Sequence, residues 1–146
     1  MLHSIIVIHS IFRTIEIMKL GMGLGYSPAK LEIPMDDILA AEELGFESVW
    51  AAESYGSDAV SVAAYVLAST STIKVGTAIM QMQARTPTMT AMTAMSLNAL
   101  SENRFLLGLG PSGPQVVEGW YGQAYGRPLT RTKEYISIVR KIIERK

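Results

Sequence analysis

Residues 104–120 read RFLLGLGPSGPQVVEGW. Arg104 to Leu109 has the apolar run of a buried strand, and the chain then opens into a glycine-rich loop. Gly108, Gly110 and Gly113 remove side chains where the backbone leaves the strand. Bare N–H groups beyond a strand's carboxyl end can hold an anion, commonly a phosphate. A tight strand-to-helix turn that binds nothing is the competing reading. The spacing also matches the dinucleotide fingerprint G-x-G-x-x-G. That fingerprint belongs in the first βα turn and runs directly into a helix. Here Gly119, Gly122, Gly126 and Pro128 interrupt the path to the next long helix. A nicotinamide site is therefore not indicated, while a phosphate cradle remains open.

Working outward, the same strand–helix unit recurs four times. Lys19–Leu24 is a short apolar run, followed by a helix over Pro34–Leu44 that stops at Gly45. Glu47–Ala52 is the second strand and Asp58–Ser69 the second helix. Ile73–Ile79 is the third strand. Thr86-Pro87 is an N-cap and first-turn pair for a helix reaching about Leu100, with Met92, Met95, Ala99 and Leu100 expected on its buried face. The fourth strand is Arg104–Leu109, and a last helix spans about Thr130 to Lys146. Regular βα alternation with nearly continuous apolar strands predicts an α/β fold with a parallel sheet covered by helices. A doubly wound sheet and a (β/α)8 barrel both satisfy it. A full barrel needs about 250 residues. Four units are half of one, so the reading is the N-terminal half of a TIM barrel, a fragment or truncated product of a longer chain.

Composition narrows the chemistry. The 146 residues are 49% hydrophobic, enough for a sizeable core. Net charge is zero and the basic residues are scattered apart from a modest cluster at the C-terminal end, so no nucleic-acid partner is expected. The absence of cysteine excludes disulfides, thiolate metal sites and a cysteine nucleophile, and fits a cytoplasmic protein. His3 and His9 are the only histidines, so the main body holds no histidine triad or histidine metal cluster, and no metal is expected. Both lie in residues 1–17, MLHSIIVIHSIFRTIEI, which are too short and too broken to span a membrane. They also lack a basic start and a small-residue cleavage site. Met18 is read as the natural start, residues 1–17 as a non-native or disordered extension, and 18–146 as the domain. An extra edge strand is the alternative for residues 1–17.

In a barrel the working residues follow the strands' carboxyl ends. Here these places are Gly25-Tyr26-Ser27, Glu53-Ser54-Tyr55, Gly76 to Gln81, and the glycine loop. Glu53 is the only acid among them before Glu118. It reads as a salt-bridge or helix N-terminal charge, or as a hydrogen-bond acceptor for a cofactor. Thr77 and Gln81 are polar groups ending an apolar strand.

Four segments then carry a family resemblance. Met18-Lys19-Leu20-Gly21, residues 40–59 (AAEELGFESVWAAESYGSDA), residues 73–87 (IKVGTAIMQMQARTP) and residues 100–122 (LSENRFLLGLGPSGPQVVEGWYG) agree in order and spacing. Together they resemble the luciferase-like monooxygenase superfamily, in its branch of deazaflavin (coenzyme F-420)-dependent oxidoreductases. The resemblance implies a barrel with a flavin-like ring over the strand ends. It implies a non-prolyl cis peptide at Ala78-Ile79 behind the ring and Glu53 as a ring-contacting acid; Thr77, at the same strand end, is a further candidate for the cofactor site. It further implies a phosphate loop formed by Gly110, Pro111, Ser112, Gly113, Pro114, Gln115 and Val116. The family commonly forms homodimers through its early helices. Two positions depart from the pattern. Ser54 replaces the histidine of related sugar-phosphate dehydrogenases, and Asn103 stands where glycine is usual. Strands five to eight are missing.

The activity implied is hydride exchange between coenzyme F-420 and a small organic substrate, with no membrane partner. No catalytic acid or base is assigned; Glu118 and Tyr121 are candidates because they follow the cofactor loop. An FMN-dependent monooxygenase is the alternative on the same fold. A non-catalytic half-barrel that needs a partner chain is the alternative from a different class.

Overall fold

The computed structural model describes residues 18–26 and 29–146. The reading of residues 1–17, and Ser27 of the first strand end, lie outside the described residues. The chain runs β1 (Gly21–Gly23), α1 (Met35–Glu43), β2 (Ser48–Ala51), α2 (Ala59–Ser69), β3 (Lys74–Thr77) and β4 (Met80–Gln81). A single 3-10 turn, Met82–Ala84, leads to α3 (Pro87–Leu100). Then come β5 (Phe105–Leu106), β6 (Leu109–Gly110), the short α4 (Pro114–Val117) and α5 (Pro128–Ile143).

The sheet decides between the two architectures. Its order is β1-β2-β3-β5, and every pairing is parallel. A doubly wound sheet reverses its strand order at a switch point. Here each βα unit adds its strand beside the last without reversal, which is how a barrel grows. The chain is α/β, with the architecture of the N-terminal half of a (β/α)8 barrel.

Two of the four expected strands are each broken in two. β3 continues as β4 after the Ala78–Ile79 step, and β5 continues as β6 after Leu107–Gly108. The upper pieces pair with each other, Met80 with Leu109 and Gln81 with Gly110. The Ala78–Ile79 peptide bond is cis. At this break Ala78 N donates to Ala51 O (2.7 Å) and Met80 N to Gly108 O (2.8 Å), so the backbone stays satisfied.

Register and alternation sort the two faces. Val49, Val75 and Phe105 are buried among Ile38, Ala63, Val66, Leu67 and Leu97. This is the helix-covered face. Gly21, Gly23, Ser48, Trp50, Gly76 and Leu106 share the opposite face by their pairing. A Cβ on Gly76 would lie 2.4 Å from the Trp50 ring, and one on Gly21 3.1 Å from Trp50 Nε1. One indole, hydrogen-bonded to Ser48 Oγ (2.9 Å), thus covers the space that the glycines leave open.

Local signals explain the helix limits. Asp58 accepts from Ser61 N (2.8 Å) and Thr86 from Met89 N (3.2 Å), each an N-cap worth about 1 kcal/mol. Gly45 takes φ +79 after α1, and Asn103 takes φ +67 before β5, as its tolerance of the left-handed region allows. Arg104 closes the lower ends of α2 and α3. It donates to Leu67 O (2.8 Å), Thr70 O (3.0 Å), Ile73 O (3.0 Å) and Ser101 O (3.0 Å). A cation among the last carbonyls of a helix is favoured by its dipole.

The expected α3 face is corrected. Met92 is 53% exposed and Leu100 84%, whereas Thr90, Ala91, Ala94 and Leu97 are buried. Small residues let α3 sit close to its neighbours, and Thr90 Oγ1 meets the Tyr135 hydroxyl of α5 at 2.6 Å. α4 is an addition, since the sequence reading leaves 110–129 as a loop. Among the described residues no helix is long and apolar enough to cross a membrane.

Candidate functional site

The strand ends assemble around Glu53, which ends the run from β2 and is 6% exposed. Its Oε1 accepts from Arg85 Nη2 (2.7 Å) and Ala59 N (3.3 Å). Its Oε2 accepts from Gln81 N (2.6 Å) and Arg85 Nη1 (2.8 Å). A carboxylate has about four acceptor sites. All four are used, and both readings of Glu53 as a salt-bridge partner and as a charge at a helix N-terminus describe its contacts. Burial opposes the Arg85 charge, but Glu53 and then Asp58 raise its pKa above the ordinary value. Asp58 lies 3.8 Å from Arg85.

Arg85 is the partner of Glu53 at this candidate site that the sequence reading misses. It sits 32 residues from Glu53. The available signal is that it is the only cation between Lys74 and Arg104. Its own carbonyl accepts from Tyr135 Oη (3.0 Å), which ties the pair to α5.

Thr77 is fully buried and bonds Gly108 twice. Its Oγ1 donates to Gly108 O (2.8 Å) and accepts from Gly108 N (3.0 Å). A Cβ on Gly108 would lie 1.9 Å from Thr77 O, so no side chain fits at that crossing. Ala78 is exposed and Ile79 half-buried. A Cβ on Gly110 would lie 2.9 Å from Ile79 Cγ1. The first two glycines of the fingerprint therefore bring the fourth strand against the Thr77–Ile79 step.

Beyond Gly110, Ser112 takes φ +57 and its carbonyl accepts from Tyr125 Oη (3.1 Å). Gly113 is the N-cap of α4. Pro111 and Pro114 have no N–H to give. Val116 N is taken by Gly113 O (3.1 Å). The loop's available donors are then the N–H groups of Ser112, Gly113 and Gln115. This is fewer than the seven residues from Gly110 to Val116 would offer if all were bare.

The two acid–base candidates separate. Glu118 is exposed and accepts from Tyr125 N (3.1 Å). Tyr121 lines a cleft of about 210 Å³ with Glu53, Ser54, Tyr55, Asp58 and Trp120. Burial, and then the Glu53 carboxylate, push the Tyr121 phenol above its ordinary pKa. Gln81 is 1% exposed; its Nε2 donates to Glu53 O (3.2 Å), and its Oε1 has no protein partner. Among the described residues no three His, Cys, Asp or Glu side chains are grouped to hold a metal ion.

Known proteins share this arrangement of chain. The family model described as luciferase-like monooxygenase matches residues 20–146. The chain is 51% identical over 126 residues to a protein of Mycobacterium tuberculosis named "Putative coenzyme F420-dependent oxidoreductase", covering 86% of this chain and 36% of that one. Among solved structures, the FMN-bound oxygenating constituent of 3,6-diketocamphane monooxygenase from Pseudomonas putida superposes with a TM-score of 0.75 at 19% identity. It covers 89% of this chain and 40% of its own. The F420-dependent tetrahydromethanopterin reductase of Methanopyrus kandleri gives a TM-score of 0.69 at 22% identity, over 84% of this chain and 39% of its own. The chain thus spans about a third to two fifths of the length of these proteins. With four βα units in barrel order and a family match from residue 20 to residue 146, the chain belongs to the luciferase-like monooxygenase family.

Proposed function

We propose that this chain forms the cofactor-binding part of an oxidoreductase that transfers a hydride between deazaflavin coenzyme F-420 and a small organic substrate. The observation that carries the reading is the strand-end shelf. Ala78 is exposed, half-buried Ile79 packs against Gly110, and the N–H groups of Ser112, Gly113 and Gln115, unpaired among the described residues, follow in the adjoining loop. The 51% identical relative, named for coenzyme F-420, supports the same cofactor.

The residues present fit such a group. A flat ring needs a shelf without large side chains in its way, and exposed Ala78 supplies a small one, while Gly110 lets Ile79 pack down beside it. A phosphate needs donors without nearby carboxylates, and residues 110–116 contain no acid. A buried acceptor without a protein partner, Gln81 Oε1, suits a ring donor. When bound, the deazaflavin accepts or releases the hydride. Ala78 and Ile79 would orient it, and Ser112, Gly113 and Gln115 would hold its phosphate. Thr77 would fix the shelf to the fourth strand through Gly108. Glu53, with its acceptor sites filled, would act by positioning Gln81 rather than by bonding the ring. Tyr121, kept protonated, would donate a hydrogen bond to the substrate.

Titration of the purified chain with coenzyme F-420 and with FMN, followed by bound absorbance, tests this. Retention of F-420 with hydride exchange is the expected result. Retention of FMN instead would favour the monooxygenase reading. A folded chain that binds neither would overturn the proposal in favour of a half-barrel that needs a partner chain.

A further inference from the structure

The cleft beside Glu53 has a wall that holding a cofactor does not require. Tyr55 and Trp120 are 55% and 58% exposed, although both are large aromatics. They come from separate segments, the loop after β2 and the turn after α4. Their ring centroids lie 5.3 Å apart at an interplanar angle of 89°. Edge-to-face pairs in this range attract each other, so the two rings form a set corner rather than two independent surface side chains. The floor beneath them is polar and carries the Glu53–Arg85 pair and the half-exposed Asp58 carboxylate. Glu53 is neutralised by Arg85, and Asp58 caps Ser61 N while facing the same guanidinium.

We propose that the Tyr55–Trp120 corner selects the substrate of this site, and that the substrate carries a single aromatic ring. The proposal rests on the hydride-transfer reading above and names its substrate class. Size supports one ring. An apolar cavity of about 150 Å³ accepts benzene, and the cleft measures about 210 Å³. That open cleft has room for one substituted ring. Geometry supports aromaticity. A corner of two perpendicular rings offers a flat ligand one face to stack on and one edge to meet it. A saturated ring of the same size gains neither contact. Tyr121 lines the same cleft. It is placed to meet an oxygen substituent on the ring.

The test uses the intact chain and ligand-observed NMR with two matched probes, benzyl alcohol and cyclohexylmethanol, each with and without coenzyme F-420. Benzyl alcohol is expected to bind about three- to tenfold more tightly. Trp120→Ala and Tyr55→Ala should erase that preference, while Trp120→Phe keeps it. Both positions are exposed, and circular dichroism checks that each variant is folded. Equal binding of the two alcohols, no binding of benzyl alcohol under either condition, or an unchanged preference in both alanine variants would overturn the proposal. The cofactor titration reads separately. An aromatic preference in a chain that retains no F-420 would sink the hydride-transfer reading and leave the aromatic seat standing. Retained F-420 without the preference would do the reverse.

Discussion

At the scale of single residues, the Glu53–Arg85 pair shows how one buried charge is made tolerable. Glu53 has 2% of its side chain exposed and Arg85 17%. Removing water from a carboxylate costs several kcal/mol, and only close, complete hydrogen bonding offsets that cost. The bidentate guanidinium and two backbone N–H groups provide it. Breaking one side should therefore be worse than removing both. Arg85→Met is expected to destabilise the fold by about 3–5 kcal/mol, because Glu53 is left buried and unpaired. Arg85→Met combined with Glu53→Gln should recover much of that loss, since no buried charge then remains. Urea unfolding of the single and double variants measures it, and additive effects would mean that the pair is not coupled.

At the scale of elements, α1 is fastened to the start of β3 by one side chain. Glu42 Oε1 accepts from Ser71 N (2.9 Å), Thr72 N (2.5 Å), Thr72 Oγ1 (3.0 Å) and Ile73 N (2.8 Å). Partial burial opposes its charge, but these donors win and lower its pKa to about 2 from an ordinary 4.5. The folded state thus favours the ionised form. Its contribution is fully present above pH 4.5 and is lost as pH falls through about 2. Glu42→Gln should flatten that part of the stability-against-pH curve, measured as the urea midpoint from pH 5 to pH 2. A variant as acid-sensitive as the parent would remove Glu42 from the account. This fastening was not legible in the sequence, because its partners lie about thirty residues away along the chain. What was legible was periodic or local. The βα alternation, the Asp58 and Thr86 caps and the left-handed Asn103 all follow from near neighbours. The breaks within the third and fourth strands were hidden, because IKVGTAI and RFLLGL read as continuous apolar runs. The buried face of α3 was misread because its methionines outweigh the small Ala91 and Ala94 in any apolar count, while close packing selects the small residues. At the site, the strand-end positions could be read, but the partner of Glu53 could not.

At the scale of the whole molecule, the sheet has two ends. Among the described residues, β1 pairs only with β2, and β5 only with β3. An unpaired strand edge is a template for pairing with another chain. On β1 the outward groups can be identified. Leu24 N donates to Trp50 O (3.0 Å), so Leu24 and, two residues earlier, Met22 direct their N–H groups toward β2. The Gly23 N–H between them points to the open side. A Cβ built on Gly23 meets nothing within 4 Å, and Gly23 does not have a positive φ. Gly23→Pro would therefore delete an outward donor without touching the β1–β2 ladder, as proline does on natural edge strands. If this edge drives self-association, sedimentation of the parent chain will show a mass that rises with concentration. The Gly23→Pro variant will then stay lighter at every concentration, with the same helix content by circular dichroism. A parent chain that remains monomeric across the range would show that the β1 edge is already protected. A proline variant that associates as strongly as the parent would move the contact to the β5–β6 end or to the exposed methionine face of α3.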